Sequence, residues 1–84
     1  MELLIISQNV CRACQELHIY LENEHEGVEG IVYGNIDEDA TLIDKYSITS
    51  TPTTILLEDG EELTRLTGFN ADYTEDIDVL VEQL

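Results

Sequence analysis

The chain reads as an α/β domain ordered β-α-β-α-β-β-α, a four-stranded mixed sheet covered by three helices. Three observations carry this. Short apolar and β-branched runs alternate with stretches whose apolar residues recur three and four apart. The stretch between the first two runs is long enough for a crossover helix. An Asp59-Gly60 dipeptide separates the last two runs, a hairpin signal. Residues 1–84 are expected to form one domain, since no low-complexity segment, repeat or Ser/Gly linker interrupts them.

Leu3 to Ser7 is a continuous apolar run, read as a buried strand, and the polar Ser7-Gln8-Asn9 as the loop beyond it. Val10, Cys14, Leu17 and Leu21 then recur at helical spacing, up to a loop at Gly27 and Gly30. Gly30 to Ile36, with Ile31, Val32 and Tyr33, forms the second strand. Asp37-Glu38-Asp39 suits a helix N-terminus, and Leu42, Ile43 and Tyr46 supply that helix's buried stripe. Ser47 to Thr54 is rich in Ser and Thr and holds the only proline, Pro52. Thr54 to Glu58 is the third strand, and Glu61 to Thr67 its antiparallel partner, with imperfect alternation that allows a bulge or an edge position. Asp72 and Glu75 have capping-box spacing, with Asp in place of Ser or Thr. Ile77, Leu80, Val81 and Leu84 form one face of a last helix.

This order makes the first two strands parallel, joined by a right-handed crossover. Ligand chemistry in such sheets sits where parallel strands end and the next helix begins. Both cysteines fall there.

Composition narrows the function classes. Nineteen acidic residues face three basic ones, Arg12, Lys45 and Arg65, for a net charge of −16. Nucleic acid and anionic membranes, which need clustered Lys and Arg, are excluded as ordinary partners. No apolar run approaches the ~18 residues of a membrane span. The opening Met-Glu-Leu-Leu-Ile-Ile lacks the basic region of a secretory signal, so a cytoplasmic location is expected. A monomer is expected as well. The acidity itself suits a salt-rich cytoplasm, a basic partner face, mimicry of nucleic acid or simply a solvated surface.

Cys11-Arg12-Ala13-Cys14 holds the only two cysteines. Random placement gives this separation in about one case in forty. On a helix it puts both sulfurs on one side, about one turn apart. Cys11 falls at the helix N-terminus, where free N–H groups and the dipole favour a thiolate, and Arg12 adds positive charge. The overall charge and Glu16 oppose this. The chemistry implied is thiol–disulfide exchange, with Cys11 attacking a substrate disulfide and Cys14 resolving the mixed disulfide. Two buried cysteines without function would not explain the position between strand and helix. A zinc site would need His18 and His25, the only histidines, at a spacing that matches no usual zinc motif. No metal or cofactor is therefore expected, and a purely structural disulfide does not suit a small intracellular chain.

With the cysteines placed, Asn35-Ile36-Asp37 and Leu42-Ile43-Asp44-Lys45-Tyr46-Ser47-Ile48-Thr49-Ser50-Thr51-Pro52-Thr53 are similar to a stretch of the thioredoxin family. Thr54 to Gly60 resembles the strand and turn that follow, and Gly68 stands where the family has a glycine after the last strand. The resemblance runs from Leu3 to Leu84, without the leading strand and helix of full-length thioredoxins, and implies the thioredoxin fold of a short, glutaredoxin-sized redoxin. It implies a cis peptide bond at Pro52, next to the cysteines. It also implies that Thr51 presents its backbone to an extended substrate and that Gly68 lets the substrate approach. Arg12 and Ala13, between the cysteines, complete the substrate-binding set.

The departures from the family are Arg-Ala between the cysteines, Val10 for its Trp, Ile5 for its buried Asp and Tyr33 for the Lys that pairs with that Asp. The proton of Cys14 then goes to water, Glu16 or His18. The resemblance implies a protein-disulfide reductant recycled by a thioredoxin-reductase-like donor, with disulfide-containing proteins as clients, ribonucleotide reductase among them. A glutathione-dependent glutaredoxin is the nearest alternative, although only one glycine and Asp72 of its C-terminal motif are present in Gly68-Phe69-Asn70-Ala71-Asp72. A non-catalytic acidic binding module on the same fold is the other.

Overall fold

The computed structural model describes residues 1–84. Strand β1 (Glu2–Ser7), helix α1 (Arg12–Glu24), β2 (Ile31–Asn35), α2 (Thr41–Tyr46), β3 (Thr53–Glu58), β4 (Glu61–Thr67) and α3 (Thr74–Glu82) follow in the expected order. A 3-10 turn at Ala71–Tyr73 leads into α3. The sheet order is β2-β1-β3-β4, with β1 parallel to β2 and antiparallel to β3, and β4 antiparallel to β3.

Composition explains which strands are central. β1 and β3 bury five consecutive residues each, Leu3–Ser7 and Thr53–Leu57, because both of their faces are covered. The edge strands β2 and β4 bury none completely. Side chains alternate across the sheet. Leu3, Ile5 and Leu56 meet Leu17 and Leu21 of α1 and Ile77, Leu80 and Val81 of α3. Leu4, Ile6, Ile55 and Leu57 face the other way, toward Leu42, Tyr46 and Ile48. Helices α1 and α3 thus share one face and the short α2 lies on the other.

The hairpin turn has positive φ at both central residues, 52° at Asp59 and 84° at Gly60, as a two-residue turn matched to the strand twist requires. The imperfect alternation in β4 corresponds to a register shift between Leu56 and Leu57.

Four details differ from the sequence reading. Val10 is 92% exposed, because α1 starts at Arg12 and leaves it in the loop. Ile43 turns to solvent, the inward side of α2 being Leu42 and Tyr46, continued by Ile48. The Asp72–Glu75 capping box does not form. The 3-10 turn sets in first, and Asn70 caps it by accepting the Asp72 N–H at 2.8 Å. Ahead of α2, only Asp39 of the acidic triplet caps, accepting the N–H and hydroxyl of Thr41, whereas Asp37 accepts the N–H of Asn9.

One polar cluster ties α1 to α3. The Tyr20 hydroxyl donates to Asp78 Oδ1 at 2.7 Å, and His25 Nε2 lies 2.6 Å from the same oxygen. The hydrogen bond from Tyr20, then that from His25, holds the Asp78 carboxyl below its usual pKa. A depressed carboxylate stabilises the fold above its unfolded pKa of ~3.9 and loses that contribution as pH falls through the folded value. The Tyr20 phenol is pushed up to about 12, chiefly by its hydrogen bond to Asp78, then by burial and by the negative charges of Asp78 and Glu24. Its contribution is present below ~10 and fades as pH rises toward the folded value. Asp78→Asn is therefore expected to lower the urea midpoint at neutral pH and to flatten its decline below about pH 4. Urea titrations across acidic pH check this, and an unchanged acid slope would contradict it.

Candidate active site

The site is built where β1 ends. Ser7 closes the strand, Gln8 to Val10 cross over, and Cys11 takes the N-cap of α1 in an extended conformation, φ −155° and ψ 101°. Its Sγ accepts the Cys14 N–H at 3.1 Å, the part a Ser or Asp oxygen usually takes at this position. Cys11 and Cys14 form a disulfide, with their Cα atoms 5.3 Å apart. The two sulfurs differ in access: Cys14 is 3% exposed, and Cys11 is half-buried at the surface.

The loop before Cys11 is held by the end of β2. Besides the Asn9–Asp37 contact at 2.7 Å, Asn35 Nδ2 donates to Asn9 Oδ1 at 2.8 Å, and the Ile36 N–H donates to the Ser7 carbonyl at 2.9 Å. These bonds join residues 26 to 29 positions apart, and no local pattern signals them.

The opposite wall is the segment before β3. The Thr51–Pro52 bond is cis, as the resemblance implies. The Thr51 hydroxyl donates to Cys11 Sγ at 3.5 Å, and the Thr51 carbonyl oxygen lies 3.7 Å from the same sulfur. Pro52 is buried, and its carbonyl accepts the Gly68 N–H at 2.7 Å, which carries the β3–β4 pairing one step past Thr53–Thr67. At φ 82°, Gly68 occupies a conformation that side chains disfavour. A Cβ there would approach nothing closer than the Tyr73 ring at 3.9 Å, so backbone geometry and not crowding requires the glycine.

Of the predicted residues, the structure thus brings Cys11, Cys14, Thr51 and Pro52 together and sets Gly68 beside Pro52. Ala13 is half-buried in the first turn of α1. Arg12 points outward, 92% exposed, with its Nε 3.2 Å from Glu16. Such an exposed pair contributes little to stability and occupies both charges. Among the proton acceptors considered, Glu16 is on that outer surface. His18 is half-buried, with Nε2 3.3 Å from Ser7 Oγ and its ring edge-on to Tyr33. Ile5 is fully buried. The Tyr33 phenol is shifted above its usual pKa by burial and then by Glu22.

The fold and site define an α/β protein with a disulfide-linked cysteine pair at a helix N-terminus, one sulfur at the surface and one covered. Two curated relatives are thioredoxins, from Chlamydia caviae at 35% and Chlamydia pneumoniae at 37% identity, each over 60 residues and 69% of this chain. The alignment spans 59% of each of those proteins. Among solved structures, the Plasmodium falciparum thioredoxin superposes with a TM-score of 0.81 at 20% identity, covering 98% of this chain and 83% of that one. A poplar thioredoxin h superposes with a TM-score of 0.75 at 25% identity, covering 98% and 77%. No protein-family profile matches the chain. These likenesses show the thioredoxin fold over nearly the whole chain and support a thioredoxin-like family.

Proposed function

We propose that the protein is a small dithiol–disulfide oxidoreductase that reduces disulfides of client proteins in the cytoplasm. The observation that carries this is the convergence of two donors on Cys11 Sγ, the Cys14 N–H and the Thr51 hydroxyl, at a helix N-terminus. In the reduced protein both donors and the helix dipole favour the thiolate, which is the attacking species. Cys11 thiolate attacks one sulfur of the client disulfide, and the other sulfur leaves as a thiolate and takes up a proton. Cys14 loses its proton and attacks Cys11 Sγ, which releases the second client thiol and leaves the Cys11–Cys14 disulfide. The client gains two electrons and this protein loses them. A flavoprotein reductase of the thioredoxin-reductase kind restores the dithiol.

The surface around Cys11 suits an extended client. No other backbone group bonds to the N–H or carbonyl of Thr51, which leaves them to a client strand. Pro52 and Gly68 flank that position, and the exposed Val10 offers an apolar contact beside the sulfur. With a charge of −16, clients or donors with basic docking faces are steered toward the protein, ribonucleotide reductase being one candidate client.

Two measurements test the reading. The wild type is expected to accelerate insulin disulfide reduction by dithiothreitol, followed as turbidity. After reduction, Cys11 is expected to alkylate about a hundredfold faster than Cys14 at neutral pH. Absence of turbidity above the reagent blank, or equal slow alkylation of both thiols, overturns it.

A further inference from the structure

We infer that the Thr54 hydroxyl is a positioning group for the Cys14 sulfur, donating a hydrogen bond to it once the disulfide is opened; this rests on the dithiol chemistry proposed above. Thr54 is fully buried, and its Oγ1 is the one buried side-chain nitrogen or oxygen in the molecule without a hydrogen-bond partner. Leaving a hydroxyl in that state costs about 1–3 kcal/mol, so a native chain that does so calls for an explanation. The neighbouring threonines do not share the fault. Thr53 Oγ1 donates to the Ser50 carbonyl at 2.7 Å, and Thr51 Oγ1 serves Cys11.

The strand pattern locates the hydroxyl. Thr54 pairs with Ile5 on β1 and with Leu66 on β4, and it shares a sheet face with Leu56 two residues on. Ile5 and Leu56 belong to the core layer beneath α1 and α3. The inward stripe of α1 is Cys14, Leu17 and Leu21, with Cys14 at the end that carries the disulfide. Thr54 is two residues from Pro52, at the same end of its strand. The buried side chains of this layer, Ile5, Leu17, Leu56 and Ile77 among them, are hydrocarbon. On the inward stripe of α1, Cys14 is the only residue with a heteroatom in its side chain.

The redox state sets how strongly that sulfur accepts. In the disulfide form Thr54 Oγ1 makes no hydrogen bond to it, whereas a thiolate is a far stronger acceptor than a disulfide sulfur. When one thiolate of a dithiol donor attacks Cys11 Sγ, the Cys11–Cys14 bond breaks and its electron pair goes to Cys14 Sγ as a thiolate. The donor's second thiolate then displaces Cys11, so the donor ends as a disulfide and its two protons pass to Cys11 and Cys14. The Thr54 O–H gains an acceptor as the negative charge appears on Cys14. In the forward reaction it favours the same thiolate as resolving nucleophile. The hydroxyl is idle in the disulfide state and engaged in the dithiol state, and so biases the couple toward reduction.

The test is the equilibrium of the Cys11–Cys14 couple against dithiothreitol, measured for the wild type, Thr54→Val, Thr54→Ala and Thr54→Ser. Neither Val nor Ala removes a bond present in the disulfide form, so both variants should fold as the disulfide. Each is expected to shift the equilibrium about fivefold toward the disulfide, while Ser stays near the wild type. In a Cys11→Ser background, the thiolate absorbance of Cys14 should titrate at higher pH with Val than with Thr. Equal equilibria for Thr and Val, or the same shift with Ser as with Val, would overturn the inference. No client enters these measurements. A fivefold shift in a protein that fails to reduce insulin would sustain the role of Thr54 and remove the proposed function; insulin reduction with no shift would do the reverse.

Discussion

Cys11→Ser is expected to abolish insulin disulfide reduction, with the rate falling about a thousandfold or more, to that of the chemical reductant alone. The loss is chemical and not structural. Serine is among the preferred N-cap residues, so its hydroxyl can accept the Cys14 N–H that Cys11 Sγ accepts now, and α1 should begin at the same place. Circular dichroism should accordingly match that of the reduced wild type. Cys14→Ser separates the two roles. Cys11 can still attack, nothing resolves the adduct, and the client accumulates as a mixed disulfide visible on a non-reducing gel. A Cys11→Ser protein that keeps more than a few per cent of the activity, or a trap that forms through Cys14 instead, would assign the roles differently.

How much of this was legible follows from the range of each interaction. β1 and β3 were readable because central strands covered on both faces appear as unbroken apolar runs. The α1 and α3 stripes were readable because Cys14, Leu17 and Leu21, and Ile77, Leu80 and Val81, keep helical spacing. Helix starts were less so. The cysteine pair marks Cys11 as the start of α1, but the helical spacing of Val10 with Cys14 carries the stripe one residue too far, into the loop. At Asn70 a 3-10 turn takes up the residues between cap and helix, so the Asp72–Glu75 spacing had no helix start to cap. Ile43 belongs to a helix of six residues, too short for periodicity to choose a face. In the site, the Cys-x-x-Cys spacing is local and visible, and the resemblance supplied Thr51, Pro52 and Gly68. The Asn9–Asp37–Asn35 brace, the Thr51 hydroxyl on Cys11 and the orphaned hydroxyl of Thr54 are tertiary facts. They join or isolate groups that only the folded sheet brings to one end, and composition says nothing of them.

Leu17→Ala is expected to give the largest stability loss of any single truncation on α1. Leu17 is completely buried, one turn past Cys14, in the layer with Ile5, Leu21 and Ile77. Truncating a buried leucine costs about 2–5 kcal/mol, through lost transfer energy and the cavity left behind. For a domain of this size the whole unfolding free energy is on the order of 4–13 kcal/mol. The charge of −16 lowers it further at low ionic strength by self-repulsion, which salt screens. The urea midpoint should therefore fall by at least about a sixth and recover in part as salt is added. Ile19→Ala, on the same helix but 57% exposed, should stay within about 0.5 kcal/mol of the wild type. Neither change touches the cysteines or Thr51. Insulin reduction per folded molecule should hold for both at low temperature, and that of Leu17→Ala should be lost on warming in step with its unfolding. Equal midpoints for the two variants would mean that α1 is not anchored through this layer, and the rigid placement of Cys14 against the sheet would then need another cause.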